Sequence, residues 1–209
     1  MVADQIAWRG IDEPSILAAM EAVPRHLFVP AAAREQAYRD EPIAIGFGQT
    51  ISQPYIVALM TSLVRAAGRG RESEGHKPTI LEIGCGCGYQ TAVLAQLGCR
   101  VVALELLAPL ADRARLTLAS LGMKDLVVLC RDGRQGAADH APPGGFDGIL
   151  VAAASATVPP ALLEQLAIGA RLVIPLGSAD GAQELVVIER QSDGLVRETV
   201  IAVRFVPLV

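Results

Sequence analysis

Two spacings of apolar residues alternate along this chain, and each predicts its own kind of element. Residues 12–23 put Ile16, Leu17, Met20 and Val23 on one helical face, with Asp12 at the N-cap and Pro14 in the first turn. Residues 24–30 are bracketed by prolines and predict an ordered loop, and residues 43–45 predict a short strand. A second helix starts near Gln53 and carries Ile56, Leu59, Met60, Leu63 and Val64. Residues 68–78 are charged, glycine-rich and aperiodic, which reads as an exposed linker. Beyond them short apolar runs take over, at 79–83, 99–104, 126–130, 146–152 and 170–174, the last closed by Pro175 and Gly177. Helical stretches separate these strands: 89–97, 108–121 with Leu110, Ala114, Leu118 and Leu121 as its stripe, and 159–166. Strand-like runs at 184–190 and 195–206 flank Ser192-Asp193-Gly194, a hairpin signal. The class predicted is α/β: a doubly wound, mostly parallel sheet with an antiparallel C-terminal hairpin and an N-terminal helical segment. One domain is expected over 1–209, made of an N-terminal segment 1–67, the linker 68–78, an α/β core 79–177 and terminal strands 178–209.

The bulk numbers narrow the partners. The chain has 209 residues, 52% of them hydrophobic and only 4% aromatic, so its core is aliphatic. A net charge of −4 without a long basic run argues against nucleic acid. The first ten residues carry Asp4 and Arg9 and no apolar signal core. The richest apolar stretch, 148–177, is interrupted by Pro159, Pro160, Glu164 and Arg171. A soluble, cytoplasmic monomer without membrane contact is expected. Cys85, Cys87, Cys99 and Cys130 do not form a secreted disulfide framework, and neither a second C-x-x-C pair nor a nearby His completes a metal site. All four read as small apolar residues, with no metal. His26, His76 and His140 read as surface or structural histidines, and Asp147 as structural.

The candidate chemistry centres on the strand–loop–helix at 79–97. Gly84-Cys85-Gly86-Cys87-Gly88 lets the backbone turn tightly and a ligand approach closely, and the helix behind it offers free N–H groups. A dinucleotide fingerprint would need glycine where Tyr89 stands. Glu105 ends the next strand, about 20 residues past the loop, where an acid can accept from ribose hydroxyls; alone it could equally be solvated, and the loop favours the ribose reading. Asp132, followed by Gly133, could accept from an adenine amino group or simply form a turn, which residue type favours. Ser52 stands where an N-cap belongs, and a hydroxyl at a helix N-terminus is also placed to hold a substrate carboxylate.

The acid-preceded G-x-G-x-G, with Glu82 as the acid, is similar to the first motif of S-adenosylmethionine-dependent methyltransferases. More specifically, the chain resembles the protein-L-isoaspartate O-methyltransferase family along nearly its whole length. The blocks that carry this are RGI at 9–11, VPRHLFVP at 23–30, GFGQTISQPYIVALM at 46–60, LEIGCGCGYQTAVLA at 81–95, RDG at 131–133, FDGILVAAA at 146–154, PPALLEQL at 159–166, LVIPLG at 172–177 and VRFVPL at 203–208. The QTIS block, VPRHLFVP and the FVPL ending are far more specific than the glycine motif. The resemblance implies a Rossmann-like fold and methyl transfer from S-adenosyl-L-methionine, leaving S-adenosyl-L-homocysteine, to the α-carboxyl of L-isoaspartyl residues in damaged proteins and peptides. The ester then collapses unaided to a succinimide, and part of it reopens to normal aspartate.

On this resemblance Ser52 matches the active-site serine, with Gln49, Thr50 and Ile51 at the junction of cofactor and substrate. Glu82, Gly84, Cys85, Gly86 and Gly88 match the cofactor loop, Glu105 the ribose acid, and Asp132 with Gly133 the adenine side. Thr50, Ser52, Val206 and Leu208 would face the substrate, the last two on a tail with Pro207 that folds back. Cys85 and Cys87 replace the usual hydroxyl residues, Arg131 stands where glycine is common, Arg134-Gln135 lacks a frequent tryptophan, and 153–157 lacks the usual proline. These departures bear on cofactor affinity more than on reaction type. A sulfonium is already an activated donor and a carboxylate is ionised at neutral pH, with a pKa of about 4, so neither strong base nor metal is called for. The substrate peptide is expected to lie extended and be held by its backbone, since damaged proteins share no side-chain pattern. Two other readings compete: a methyltransferase of the same fold acting on a small-molecule carboxylate or hydroxyl, and a non-catalytic cofactor-binding module.

Overall fold

The computed structural model describes residues 1–65, 77–178 and 181–209. In the N-terminal segment, α1 (Pro14–Ala22) is followed by short 3-10 turns, a two-stranded antiparallel hairpin of β1 (Ile43–Gly46) and β2 (Gln49–Ile51), and α2 (Pro54–Arg65). Asp12 is not the cap of α1. Glu13 occupies the N-cap position, and its carboxylate accepts from Ser15 Oγ at 2.8 Å. The predicted linker lies outside the described residues up to position 76; Lys77 pairs with Asp125 at 2.6 Å, and the Pro78 carbonyl accepts from the Arg100 amide at 2.8 Å.

The apolar runs then become β3 (Thr79–Ile83), β4 (Arg100–Glu105), β5 (Leu126–Cys130), β6 (Phe146–Val151), β7 (Leu166–Gly177), β8 (Gln183–Gln191) and β9 (Gly194–Val203). They form one seven-stranded sheet in the order β5-β4-β3-β6-β7-β8-β9, parallel from β5 to β7 and antiparallel in the last two pairings. Helices α3 (Tyr89–Gln96), α4 (Ala108–Ser120) and α5 (Pro160–Glu164) make the crossovers. Side chains alternate along each strand. Val101 and Ala103 of β4 join the cluster packed by α1 to α4, whereas Val102 and Leu104 join the cluster that holds Leu162 of α5. Cover on both faces is why β3 is buried at every position and reads as an unbroken apolar run with one acid.

Two predicted elements differ in length. The fifth strand of the core runs straight through Pro175 rather than stopping there. The Pro175 carbonyl accepts from the Ser155 amide at 3.1 Å, so the missing N–H points to the side where β6 has already ended, and no ladder bond is lost. The helix expected over 159–166 is only Pro160–Glu164, because Leu166 already pairs with Phe146 in the sheet. Cys85, Cys87 and Cys99 are buried as expected, but Cys130, at the exposed end of β5, is not a core residue. Among the described residues no helix is long and apolar enough to cross a membrane.

The connectivity leaves one crevice. From β3 the chain moves to β4 on one side, while β6 returns on the other, so the C-terminal end of β3 is the topological switch point. In open α/β sheets ligands bind there.

Candidate active site

At the end of β3 the chain turns through Gly84, Gly86 and Gly88, at φ of +78°, +55° and +87°, into α3. The amides of Gly84 and Cys85 are tied to the Leu104 carbonyl at 2.8 and 3.0 Å, which anchors the loop across the end of β4. Glu105 completes that edge. Its Oε2 accepts from the Gly86 amide at 2.8 Å and its Oε1 from the Leu107 amide at 2.9 Å. Two backbone donors fix the carboxylate, and each oxygen keeps acceptor capacity for a ligand hydroxyl.

This loop opens on a cleft of about 770 Å³. Ile83, Gly84, Gly86, Leu104, Glu105, Leu106 and Leu107 form its floor, Arg131 and Gly133 one end, and Ala152 and Ala153 the β6 side. Phe47, Gln49 and Thr50 of the β1–β2 hairpin and residues 206–209 of the tail close over it. Gly133 is required by packing: a Cβ there would lie 2.2 Å from Ile83 Cγ2. The tail is held by a short ladder, with the Ala154 amide donating to the Val206 carbonyl at 2.8 Å and the Leu208 amide to the Ala154 carbonyl at 2.7 Å. The Gln183 side chain clamps it further back, accepting from the Phe205 amide at 2.7 Å and donating to the Phe205 carbonyl at 3.2 Å.

A second groove, about 1010 Å³, is lined by Arg9, Pro42, Thr50, Ser52, Gln53, Ile56, Ala152 and residues 201–206. A smaller cavity of about 420 Å³ holds Ile51, Ser52, Glu82, Cys85 and Tyr89 on its walls. Thr50 and Ala152 line all three. The main cleft and the open groove therefore meet at these two residues, with Ser52 beside them.

Ser52 does not cap α2. The helix begins at Pro54, and its Tyr55 amide is taken by Asp40 Oδ1 at 3.0 Å. Asp40 Oδ2 also accepts from Arg9 at 2.8 Å and from Gln53 at 3.3 Å, and the Arg9 guanidinium lies 3.3 Å from the Tyr55 ring centroid. Among the described residues the Ser52 hydroxyl has no hydrogen-bond partner, while its carbonyl accepts from Arg25 Nη2 at 2.7 Å.

Glu82 is fully buried, with Oε2 accepting from Thr91 Oγ1 at 2.6 Å and Oε1 unpartnered. Burial pushes its carboxyl from 4.5 up to about 7, against the Thr91 hydrogen bond and helped by Glu105. A carboxyl that binds its proton more tightly folded than unfolded stabilises the fold at low pH, and this contribution is lost as pH rises through about 7. Glu82→Gln is accordingly expected to gain stability relative to the parent between about pH 5 and about pH 8 and to level off above, by a few kcal/mol in order of magnitude. Urea denaturation across that range checks it; a pH-independent difference would contradict it. Burial also raises the thiols of Cys87, to about 11, and of Cys85, well above its ordinary value. Both are apolar wall residues rather than nucleophiles.

The structure brings together Gln49, Thr50, Gly84, Gly86, Glu105 and Gly133 on the main cleft, and Ile51, Glu82 and Cys85 on the smaller cavity. Three expected residues fall elsewhere. Gly88 lines neither; it lets α3 approach α4, where a Cβ would meet Leu118 Cδ1 at 3.1 Å and Ala114 Cβ at 3.2 Å. Asp132 is absent from the lining: its carboxylate accepts from the Arg134 amide at 2.9 Å and pairs with the Arg134 guanidinium, which holds it below the usual range. Leu208 faces the main cleft and not the groove, whereas Val206 lines both. No local pattern singles out Asp40, Ile201 or Ala202, and Arg25 and residues 203–205 stood out only as parts of the VPRHLFVP and VRFVPL blocks. The strand-end position of Leu104 and Ala152 was the available signal for those two.

A mostly parallel sheet with a glycine loop at its switch point and a fixed acid at the next strand end is a Rossmann-like fold, and the family match makes it that of an S-adenosylmethionine-dependent methyltransferase. The family model of protein-L-isoaspartate(D-aspartate) O-methyltransferase matches residues 1–209, and the chain belongs to that family. It is 48% identical over 215 residues to the protein-L-isoaspartate O-methyltransferase of Synechococcus sp., covering 100% of this chain and 84% of the relative. It is 50% identical over 209 residues to protein-L-isoaspartate O-methyltransferase 1 of Syntrophobacter fumaroxidans, covering 100% and 92%. In fold it is similar to a Plasmodium falciparum beta-aspartate methyltransferase (PCMT) solved in complex with S-adenosyl-L-homocysteine, with a TM-score of 0.80 at 24% identity over 100% of this chain and 96% of that one.

Proposed function

We propose that this chain transfers a methyl group from S-adenosyl-L-methionine to the α-carboxyl of L-isoaspartyl residues in damaged proteins and peptides, the entry step of a repair reaction. Family membership over the whole chain supports the reaction. The structural observation that carries it is the meeting of cleft and groove at Thr50 and Ala152, beside the free hydroxyl of Ser52.

The residues present fit the cofactor. Glu105 offers two fixed acceptors to a ribose, Leu104, Leu106 and Leu107 offer apolar surface to a flat base, and the Gly84–Gly86 backbone allows close approach. We assign the base end to Arg131 and Gly133 and leave Asp132 as the turn former. Bound there, S-adenosyl-L-methionine supplies a methyl activated by its sulfonium. An acceptor carboxylate is already ionised at neutral pH. The chain's task is then to align it and exclude water. Ser52 donates one hydrogen bond to it and leaves its negative charge in place. The hairpin and tail shield the junction. The groove wall at 201–205 continues β9, whose outer edge has no strand partner among the described residues, so an extended peptide can be held there by its backbone. The proposal includes a monomer, and work in the cytoplasm, the latter supported by the four cysteines, none in a disulfide.

The test is methyl transfer from labelled S-adenosyl-L-methionine to a matched pair of peptides, one with L-isoaspartate and one with L-aspartate. Base-labile label on the isoaspartyl peptide alone is expected. Label on neither, with cofactor binding confirmed by calorimetry, would overturn the proposal.

A further inference from the structure

Arg25 sits in a one-turn 3-10 helix (Arg25–Leu27) and is completely buried. Burying a guanidinium without a carboxylate partner is costly, and an aliphatic side chain of similar volume would fill the space without that cost. No ion pair of Arg25 occurs among the described residues. Burial is also the main cause that lowers its pKa from the ordinary value, and a nearby Asp40 contributes only weakly in the other direction. Two of its three nitrogens donate to backbone carbonyls instead, and the third, the buried Nη1, has no hydrogen-bond partner among the described residues. Nε donates to Ala37 O at 2.7 Å and Nη2 to Ser52 O at 2.7 Å. Its Cζ lies over the Tyr89 ring, 4.8 Å from the centroid, and Phe28 braces Tyr89 from its edge at 5.5 Å.

These contacts converge on one joint. Ser52 lies between the end of β2 at Ile51 and the start of α2 at Pro54. Its carbonyl is fixed by a planar group that is itself clamped on a second carbonyl and a ring, whereas its hydroxyl is free. We propose that Arg25 is a positioning residue of the methyl-transfer site: it locks the Ser52 backbone from behind, so that the hydroxyl meets the acceptor carboxylate in a single orientation. This rests on the role proposed above for Ser52.

A residue that merely packs the core and one that acts through Ser52 differ in how their losses combine. Lysine at position 25 keeps the charge but cannot bridge two carbonyls in one plane. Arg25→Lys is expected to lower kcat on the isoaspartyl peptide on the order of tenfold, with S-adenosyl-L-homocysteine affinity, read by calorimetry, within about twofold of the parent. In the Ser52→Ala background, Arg25→Lys should cost nothing further. Losses that multiply in the double variant would overturn the proposal, as would a fall in cofactor affinity that matches the fall in kcat. Full turnover in Ser52→Ala alone would remove the role of Ser52 and this inference with it. Arg25→Gln drops the buried charge and keeps an N–H donor, so it carries the same cycle, with the same criteria, if the lysine variant does not fold.

Discussion

Exchanging Glu105 for alanine is expected to weaken S-adenosyl-L-homocysteine binding by roughly a hundredfold or more. Hydrogen bonds to a charged acceptor contribute about 1.5–3 kcal/mol each, and a ribose offers two hydroxyls to this carboxylate. The side chain does a second job before any ligand arrives, because it accepts from the Gly86 and Leu107 amides and so sets the shape of the loop edge. Alanine removes both functions. Glutamine is not a mild replacement here: its NH2 group would face one of the two amides donor to donor, and only one acceptor oxygen would remain. Glu105→Gln should therefore lose most of what Glu105→Ala loses. Calorimetric titration with S-adenosyl-L-homocysteine measures it, with circular dichroism and a thermal melt to confirm the fold. Binding within about threefold of the parent, well under the effect of one such hydrogen bond, would refute the ribose assignment.

The core of the fold was legible because its strands are buried on both faces. Such strands are short continuous apolar runs, and 79–83 and 146–151 show them without ambiguity. What stayed hidden was set by contacts distant in sequence. β2 has only three residues, Gln49–Ile51, two of them polar, and is a strand because the Gly46–Gly48 turn, with Phe47 at a φ of +55°, folds it back on β1. Ser52 has the local spacing of a cap, but Asp40 captures the Tyr55 amide from 15 residues upstream, and no local pattern reveals that. Asp132 went the other way: its nearest donors, on Arg134, took the carboxylate, so the local turn prevailed over the cleft. Arg25 lies in the loop 24–30, where its charge predicts exposure, and only the tertiary fold buries it. Glu105, Gly84 and Gly86 line the cleft because their place follows from strand-end geometry alone, whereas Gly88 serves helix packing.

Ser52→Ala is expected to lower kcat on an isoaspartyl peptide by about ten- to a hundredfold, the equivalent of one hydrogen bond to a charged group at about 1.5–3 kcal/mol. Two further readouts separate this role from the helix-cap role that its position in the sequence invites. A cap serine replaced by alanine costs about 1 kcal/mol of stability, but here the cap is supplied by Asp40 and the Ser52 hydroxyl has no protein partner, so the melting temperature should barely move. Ser52 also lies off the main cleft, on the groove and the small cavity, so cofactor affinity should be nearly intact. Ser52→Thr keeps a hydroxyl and should retain more activity than alanine if donation to the carboxylate is what matters. The role assigned to Ser52 fails if the alanine variant turns over like the parent. It fails equally if lost activity comes with a matching loss of stability, since the hydroxyl would then be holding the protein together rather than the substrate.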